Sequence, residues 1–157
     1  SDVYKRQYVM RPDGSELTRI TTHEANDFRP TWSPDGRRLA LQSKRSGRYQ
    51  LHILSADWSR LLQLTDVDGD AASPRWSPDG ETILFTLHSE RGAALWLIGV
   101  DGEVLERLTA DGGDDSAAAW SPDGKRVAFV ARIDGALGID VIERDGSGRR
   151  RLVDGCP

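Results

Sequence analysis

The stretch Trp-Ser-Pro-Asp-Gly at residues 76–80 lies near the middle of this 157-residue chain and occurs three times. The other two copies occupy residues 32–36 and 120–124, so both intervals are 44 residues. A repeat of about 40–45 residues is typical of β-propeller blades, each of which is a four-stranded sheet. The pentapeptide therefore predicts an all-β fold built from 44-residue units.

The register of the repeat extends well beyond the pentapeptide. Aspartates recur at Asp13, Asp57, Asp101 and Asp145, and apolar residues recur at Ile20, Leu64, Leu108 and Leu152, always 44 residues apart. Between these positions, short β-rich runs alternate with turn clusters, which is the pattern of antiparallel sheets. In the second unit we predict strands at Ser73–Trp76, Thr82–Leu87, Ala94–Val100 and Val104–Leu108, with corresponding strands in the other units.

The chain holds about three and a half such units. We predict a single partial β-propeller over residues 8–157, with an incomplete blade at 8–21 and four-stranded antiparallel blades at 22–65, 66–109 and 110–153. Closed propellers typically have about four to eight blades, so this number predicts either a fragment of a longer propeller or a chain that assembles with copies of itself. Residues 1–7 break the repeat, and the stretch from Asp2 to Gln7 resembles a translated transposon-end adaptor, so we interpret residues 1–7 as a non-native segment.

Composition limits the partners that we expect. The net charge is −4 with 29% charged residues, so there is no overall basic field to attract nucleic acid or an anionic membrane. No apolar run approaches the roughly 18 residues of a membrane helix, and the one cysteine excludes an internal disulfide. Blades hide their apolar faces against neighbouring blades, so an open stack predicts self-association through its uncovered faces.

The three pentapeptides, followed by an apolar strand and by Leu64-Thr65 or Leu108-Thr109, resemble the WD40-like propeller repeat of the TolB family. Departures from the repeat occur at Trp58, Ala118 and Val153. The resemblance implies a non-catalytic protein-interaction scaffold in the periplasm, with a Pal-like peptidoglycan-associated lipoprotein as partner. Similar blades also occur in prolyl-oligopeptidase-like peptidases, where the propeller gates substrate access, and in bacterial sensor proteins. These two alternatives remain open.

The residues themselves predict no catalytic, cofactor or metal site. The chain has no Gly-x-Ser-x-Gly elbow, and its histidines (His23, His52 and His88) are scattered. Asp66 to Asp70 resembles the opening of a calcium loop, but Ala71 stands where that pattern requires glycine. We therefore interpret this stretch as a solvated acidic connection.

The repeated pentapeptide residues are predicted to be structural. Aspartate readily caps a turn through nearby backbone groups, and the tryptophans are expected to pack between blades. The structural set comprises Trp32, Pro34, Asp35, Gly36, Trp76, Pro78, Asp79, Gly80, Trp120, Pro122, Asp123 and Gly124.

One face of the propeller is a candidate protein-binding face. Connections between consecutive blades cross this face near the channel, and connections between second and third strands lie further out on it. We predict an acidic inner arc within a basic outer arc, suited to a partner of complementary charge. The candidate residues are Asp27, Asp68, Asp70, Asp114, Asp115, Arg45, Arg91 and Arg132. On the opposite face, Trp58 is either a partner anchor or a cover for the edge of its own blade.

Overall fold

The computed structural model describes residues 5–110, 113–133 and 135–155, which form strands, turns and loops without a helix. A two-stranded sheet, called the half-blade below, contains β1 (Tyr8–Val9) and β2 (Thr18–Arg19). The first blade contains β3 (Asp27–Trp32), β4 (Arg38–Ser43), β5 (Gln50–Ser55) and β6 (Leu61–Gln63). The second blade contains β7 (Asp70–Trp76), β8 (Thr82–Ser89), β9 (Gly92–Gly99) and β10 (Leu105–Arg107). The third blade contains β11 (Ser116–Trp120), β12 (Arg126–Ile133), β13 (Ala136–Glu143) and β14 (Arg150–Asp154).

Strands that follow one another in the chain are neighbours in each sheet, and all of these pairs are antiparallel. The predicted all-β fold with four-stranded antiparallel blades is therefore confirmed. β8 and β9 are longer than predicted because their ladder continues to the pair Ser89–Gly92. Gly92 has a φ of 107°, which permits the tight connection between these two strands.

Each innermost strand contains a bulge that the sequence did not predict. The pairing with the second strand shifts register between Phe28 and Thr31, and the other two blades shift at the same repeat position. A residue with positive φ lies in each bulge, namely Arg29, Ser73 and Ala117. Left-handed backbone at a non-glycine residue costs about 1 kcal/mol or more, so the surrounding sheet must hold it in place.

Lys5–Gln7 occupy the place of a third strand although their side chains do not follow the repeat. The Gln7 amide donates to Thr21 Oγ1 at 3.0 Å, as the Leu51 amide donates to Thr65 Oγ1 at 2.8 Å one unit later. Because the donor in each case is a backbone amide, these bonds place few demands on the side chain of the donating residue. The interpretation of residues 1–7 as non-native therefore stays a prediction, and residues 1–4 lie outside the described part of the chain.

The apolar core lies between the blades rather than inside any one of them. Successive residues of a strand point to opposite faces of its sheet. Ile83 and Phe85 therefore pack with Leu51 between the first and second blades, whereas Leu84 packs with Val127 between the second and third blades. A smaller cluster joins the half-blade to the first blade. Each blade is thus stabilised mainly by its neighbours.

On the outward face of the third blade, apolar residues are exposed at repeat positions that are buried in the second blade. Leu95 is 0% exposed, whereas Ile139, one repeat later, is 41% exposed. Leu108 and Leu152 show the same contrast, with exposed fractions of 6% and 47%. Apolar residues therefore remain on the surface at one end of the described stack.

Candidate protein-binding face

The Ser-Pro-Asp-Gly turns lie on the face opposite the candidate binding face. In the second blade, Asp79 Oδ1 accepts hydrogen bonds from Ser77 Oγ and from the Glu81 amide at 3.0 Å. The bond from Ser77, followed by that from Glu81, lowers the pKa of Asp79 to about 2. Asp35 and Asp123 accept the equivalent bonds in the other blades. These carboxylates are therefore engaged in capping their own turns.

The glycine of each of two turns faces the proline of the turn in the preceding blade. A Cβ placed on Gly80 would lie 3.6 Å from Cδ of Pro34, and one on Gly124 would lie 3.4 Å from Cδ of Pro78. Gly80 and Gly124 also have φ values of 74° and 69°, in the left-handed region that favours glycine. A side chain at either glycine would therefore be in contact with the proline of the preceding turn.

Two of the three repeated tryptophans link a blade to the preceding one. Trp76 Nε1 donates to the Thr31 carbonyl at 3.0 Å, and the Arg38 guanidinium lies 4.8 Å from its ring centroid. Trp120 Nε1 donates to the Arg75 carbonyl at 3.4 Å. These tryptophans therefore supply one directional bond per interface in addition to apolar contact area.

Trp32 and Trp58 form a separate aromatic pair. Their rings lie edge to face with centroids 5.7 Å apart, and Trp58 packs against the cluster between the half-blade and the first blade. Trp58 has a φ of 60°, at the repeat position where Gly102 and Gly146 have values of 82° and 81°. Trp58 was expected to be either a partner anchor or a cover for the edge of its own blade. The packing of its ring against Trp32 favours the second hypothesis.

On the candidate binding face, which we call the loop face, the acidic and basic side chains pair with each other. The face carries the connections between second and third strands and the connections between blades. Between described residues, at least three ion pairs join these two sets of connections. They are Arg45–Asp27 at 3.0 Å, Arg48–Asp68 at 2.6 Å and Arg132–Asp114 at 3.4 Å. The charges of the predicted acidic arc and of the predicted basic arc therefore partly cancel within the loop face.

Two of the eight candidate residues need correction, because they do not lie on the surface. Asp27 is 0% exposed and Asp115 is 1% exposed. Arg45 holds Asp27, and Arg149 reaches Asp115 with two nitrogens at 3.3 Å each. The buried carboxylates hold loops in position instead of facing a partner. Asp70 is partly buried and accepts the Tyr49 amide at 2.9 Å.

A polar network in the third blade was not found from the sequence. Asp140 is 1% exposed, and its oxygens lie 2.9 Å from Arg149 Nε and 2.6 Å from Arg151 Nε. Arg149 also stacks over the ring of Phe129 at 5.0 Å and continues to Asp115. The signal in the sequence was an aspartate in an otherwise apolar strand, at the repeat position of His52 and Trp96. Its arginine partners were not evident because Arg149 immediately precedes the next strand of the blade and Arg151 lies on that strand.

His52 is the buried polar residue at this position in the first blade. It is 2% exposed, and its Nδ1 lies 3.1 Å from the Gln50 carbonyl. Burial lowers the pKa of His52 below its usual value, and the nearby Arg45 acts in the same direction. His52 is therefore held neutral as part of the packing beside Asp27.

A groove of about 730 Å³ opens on the loop face between the first and second blades. Its walls include Leu87, Ala94 and Trp96 of the second blade. Its basic side chains are Lys44, Arg48, Arg91 and Arg107, with His88 beside them. Its acidic side chains are Asp68, Asp70 and Glu90. The groove thus combines an indole and several guanidinium groups in one concave surface.

Among residues 5–110, 113–133 and 135–155, no three His, Cys, Asp or Glu side chains converge in a way that could hold a metal ion. In the stretch that resembles a calcium loop, Asp68 pairs with Arg48 and Asp70 accepts a backbone amide. The corresponding acidic loop one blade later includes Asp111 and Gly112, which lie outside the described residues. The same part of the chain contains no helix able to cross a membrane.

Four-stranded blades stacked face to face in chain order define this chain as part of a β-propeller. Its sequence matches the model of the TolB beta propeller domain over residues 59–155, which is more than half of the chain. The chain belongs to this family. The resemblance drawn from the Trp-Ser-Pro-Asp-Gly repeat is therefore confirmed.

Comparison with individual proteins supports the same assignment. The Protein TolB homolog of Chlorobium luteolum is 40% identical over 47 residues, which are 30% of this chain and 11% of that protein. The structure of a putative TolB from Agrobacterium tumefaciens matches with a TM-score of 0.81 and 25% identity, covering 94% of this chain and 56% of that one. The chain thus spans about half the length of this structural relative.

Enzymes share the fold as well. A puromycin hydrolase matches with a TM-score of 0.73 and 18% identity, covering 94% of this chain and 24% of that one. Identity at this level shows a common fold alone.

Proposed function

We propose that the chain is the propeller of a non-catalytic protein-interaction scaffold that works in the periplasm of a bacterial cell envelope. The observation that carries this proposal is the TolB beta propeller match over residues 59–155. A Pal-like lipoprotein is the partner that we propose, by analogy with the TolB relatives. The loop face is the proposed contact surface.

The ion pairs of the loop face support this choice of surface. In the pair Arg48–Asp68 the side chains are 61% and 97% exposed, and Arg132–Asp114 is similarly open. Exposed pairs contribute only about 0–1 kcal/mol, so a partner can replace either member at little cost. The buried pair Arg45–Asp27 keeps the loops in place while this exchange occurs.

Titration calorimetry with a purified Pal-like lipoprotein domain tests the proposal. We expect saturable binding that Asp68→Lys weakens by about tenfold, since an exposed charge at an interface centre contributes on this scale. Glu103→Lys is the matched control, because it makes the same charge change at an exposed site on the opposite face. Absence of binding, or equal weakening by both substitutions, would contradict the proposal.

The second candidate is the non-catalytic propeller of a prolyl-oligopeptidase-like peptidase, in which it gates substrate access. The resemblance of the repeat to the propellers of such peptidases is the basis of this candidate, and a puromycin hydrolase shares the fold. Sequencing the intact reading frame separates the two. A Gly-x-Ser-x-Gly elbow encoded after the last blade would favour the peptidase, whereas a reading frame of propeller blades without that elbow would favour the scaffold.

A further inference from the structure

A second groove, of about 480 Å³, opens on the face that carries the Ser-Pro-Asp-Gly turns. We call this side, with residues 33–36, 77–80 and 121–124, the turn face, and we call the cavity the turn-face groove. Residues of the second and third blades both line it, so it lies where these two blades meet. Its volume is within the range of about 300–1,000 Å³ that is typical of ligand pockets.

The turn-face groove has an apolar wall and an arginine that is already paired. Val100 and Val104 of the second blade supply apolar surface, and Arg144 of the third blade lies beside them. Arg144 Nη1 donates to Asp79 Oδ2 at 2.8 Å, and its Nη2 donates to Thr82 Oγ1 at 2.8 Å. These bonds join the third blade to the second, and the ion pair with Asp79 balances the charge of the guanidinium group.

Two carboxylates of the groove, in contrast, have no partner within the part of the chain that the structure describes. Glu81 and Glu106 both line the groove and both are exposed. No hydrogen bond or ion pair joins either carboxylate to another described residue. By comparison, the nearby Asp101 Oδ1 accepts the Glu103 amide at 3.0 Å. Two unpaired negative charges thus face the groove.

These two carboxylates are particular to the second blade. The other two blades have basic or apolar residues at the same repeat positions. They are Arg37 and Lys125 at the position of Glu81, and Leu62 and Arg150 at the position of Glu106. The fold therefore does not require a carboxylate at either place, and the negative charge of the groove is not a demand of the repeat.

We propose that the turn-face groove binds a basic segment of a partner protein, with an arginine side chain of the segment directed at Glu81 and Glu106. The stem of an arginine lies on apolar surface while its charged end stays at a wet, polar rim. Val104, which is 51% exposed, supplies such a surface. Bonds between guanidinium and carboxylate groups are charge-assisted and are among the strongest polar contacts at interfaces.

Charge complementarity decides which kind of segment fits. An acidic segment would meet two unpaired like charges at Glu81 and Glu106, whereas a basic segment would pair with them. The chain as a whole has a net charge of −4, which also attracts a basic partner. Because the turn face lies opposite the loop face, this inference goes beyond the proposed function and does not depend on it.

Fluorescence anisotropy with a labelled ten-residue peptide of alternating arginine and serine tests this inference on the full chain. We expect saturable binding that Glu81→Gln and Glu106→Gln each weaken by about tenfold, the loss expected for one bond between charged groups. A peptide with glutamine in place of arginine should bind the unaltered chain at least as weakly as the arginine peptide binds these variants. Equal binding of the two peptides would overturn the inference.

Glu24→Gln is the control variant, because it removes the same charge from an exposed residue on the loop face. It should leave the affinity for the arginine peptide within about twofold, as expected for an exposed charge at a distance. Equal weakening by Glu24→Gln and Glu81→Gln would mean that net charge alone attracts the peptide, and this result would also overturn the inference.

A charge reversal provides a second, independent variant. Glu81→Lys combined with Glu106→Arg gives the second blade the residues that the third blade has at these positions, so the fold is expected to tolerate it. The arginine peptide should bind this chain about a hundredfold more weakly, since the two losses are expected to add. Binding that persists after the charge reversal would contradict the proposed contact with Glu81 and Glu106.

Discussion

The second blade and the outward face of the third blade have similar side chains in different surroundings. Leu95 and Ile139 are equivalent repeat positions, yet their exposed fractions are 0% and 41%. The strands that carry them pair in the same antiparallel register with the second strand of their blade. In a stacked repeat the neighbouring unit therefore decides whether an apolar residue is buried, and the local sequence does not.

The largest expected effect comes from truncating these two residues. Leu95→Ala should lower the free energy of unfolding by about 2–5 kcal/mol, because it leaves a cavity between two blades. Ile139→Ala should lower it by less than about 1 kcal/mol, because solvent already reaches that side chain. Urea unfolding followed by tryptophan fluorescence measures both, and equal losses would contradict the account.

The repeated tryptophans allow a second matched comparison. Trp76 is 8% exposed and bonds to the first blade, whereas Trp32 is 46% exposed. Trp76→Phe should lower the free energy of unfolding by about 1–2 kcal/mol through loss of the bond to Thr31 and some packing. Trp32→Phe should have less than half of that effect. Thermal or urea unfolding of both variants measures these losses. A larger loss of unfolding free energy in Trp32→Phe than in Trp76→Phe would contradict the expectation.

The open face of the third blade should make the chain associate. Ile139, Leu152 and Val153 present apolar surface that the second blade hides at its equivalent positions. We expect the sedimentation coefficient to rise with concentration and a hydrophobic dye to fluoresce, both less so in Ile139→Lys. A chain that sediments as a monodisperse monomer and does not increase the fluorescence of the dye would show that this surface does not drive association.

The smallest expected effect is a pH dependence at the turns. The pKa of Asp79 in the folded chain is about 2, below the ordinary value of 3.8, so its turn bonds stabilise the fold above pH 3.8. This contribution is lost as the pH falls from about 3.8 to about 2. Asp79→Asn should flatten the dependence of the urea midpoint on pH in that window. An unchanged slope would mean that the carboxylate does not contribute.

The 44-residue register predicted the strands of all three blades because each unit repeats the same alternation of apolar and turn residues. The bulges at Arg29, Ser73 and Ala117 were not predicted, because none of these residue types favours positive φ. Only the pairing of the whole blade imposes that conformation.

The candidate site was predicted less well than the fold. Asp27 and Asp115 were assigned to the surface because they end the connections between blades, which were expected to cross the binding face near the channel. The structure buries both against arginines, and Arg149 lies 34 residues away from Asp115 in the chain. Such pairs depend on which strands become neighbours, and the groove depends on what each blade has at equivalent positions. The protein-binding role itself stays a proposal.

Native-state hydrogen exchange on the isolated chain tests most directly whether neighbouring blades provide the stability. Amides of the second blade, which is covered on both faces, should exchange most slowly. Strands β13 and β14 of the third blade should exchange faster, although they belong to the same kind of four-stranded sheet. Equal protection of the second and third blades would contradict the account, because it would mean that each blade is stable by itself.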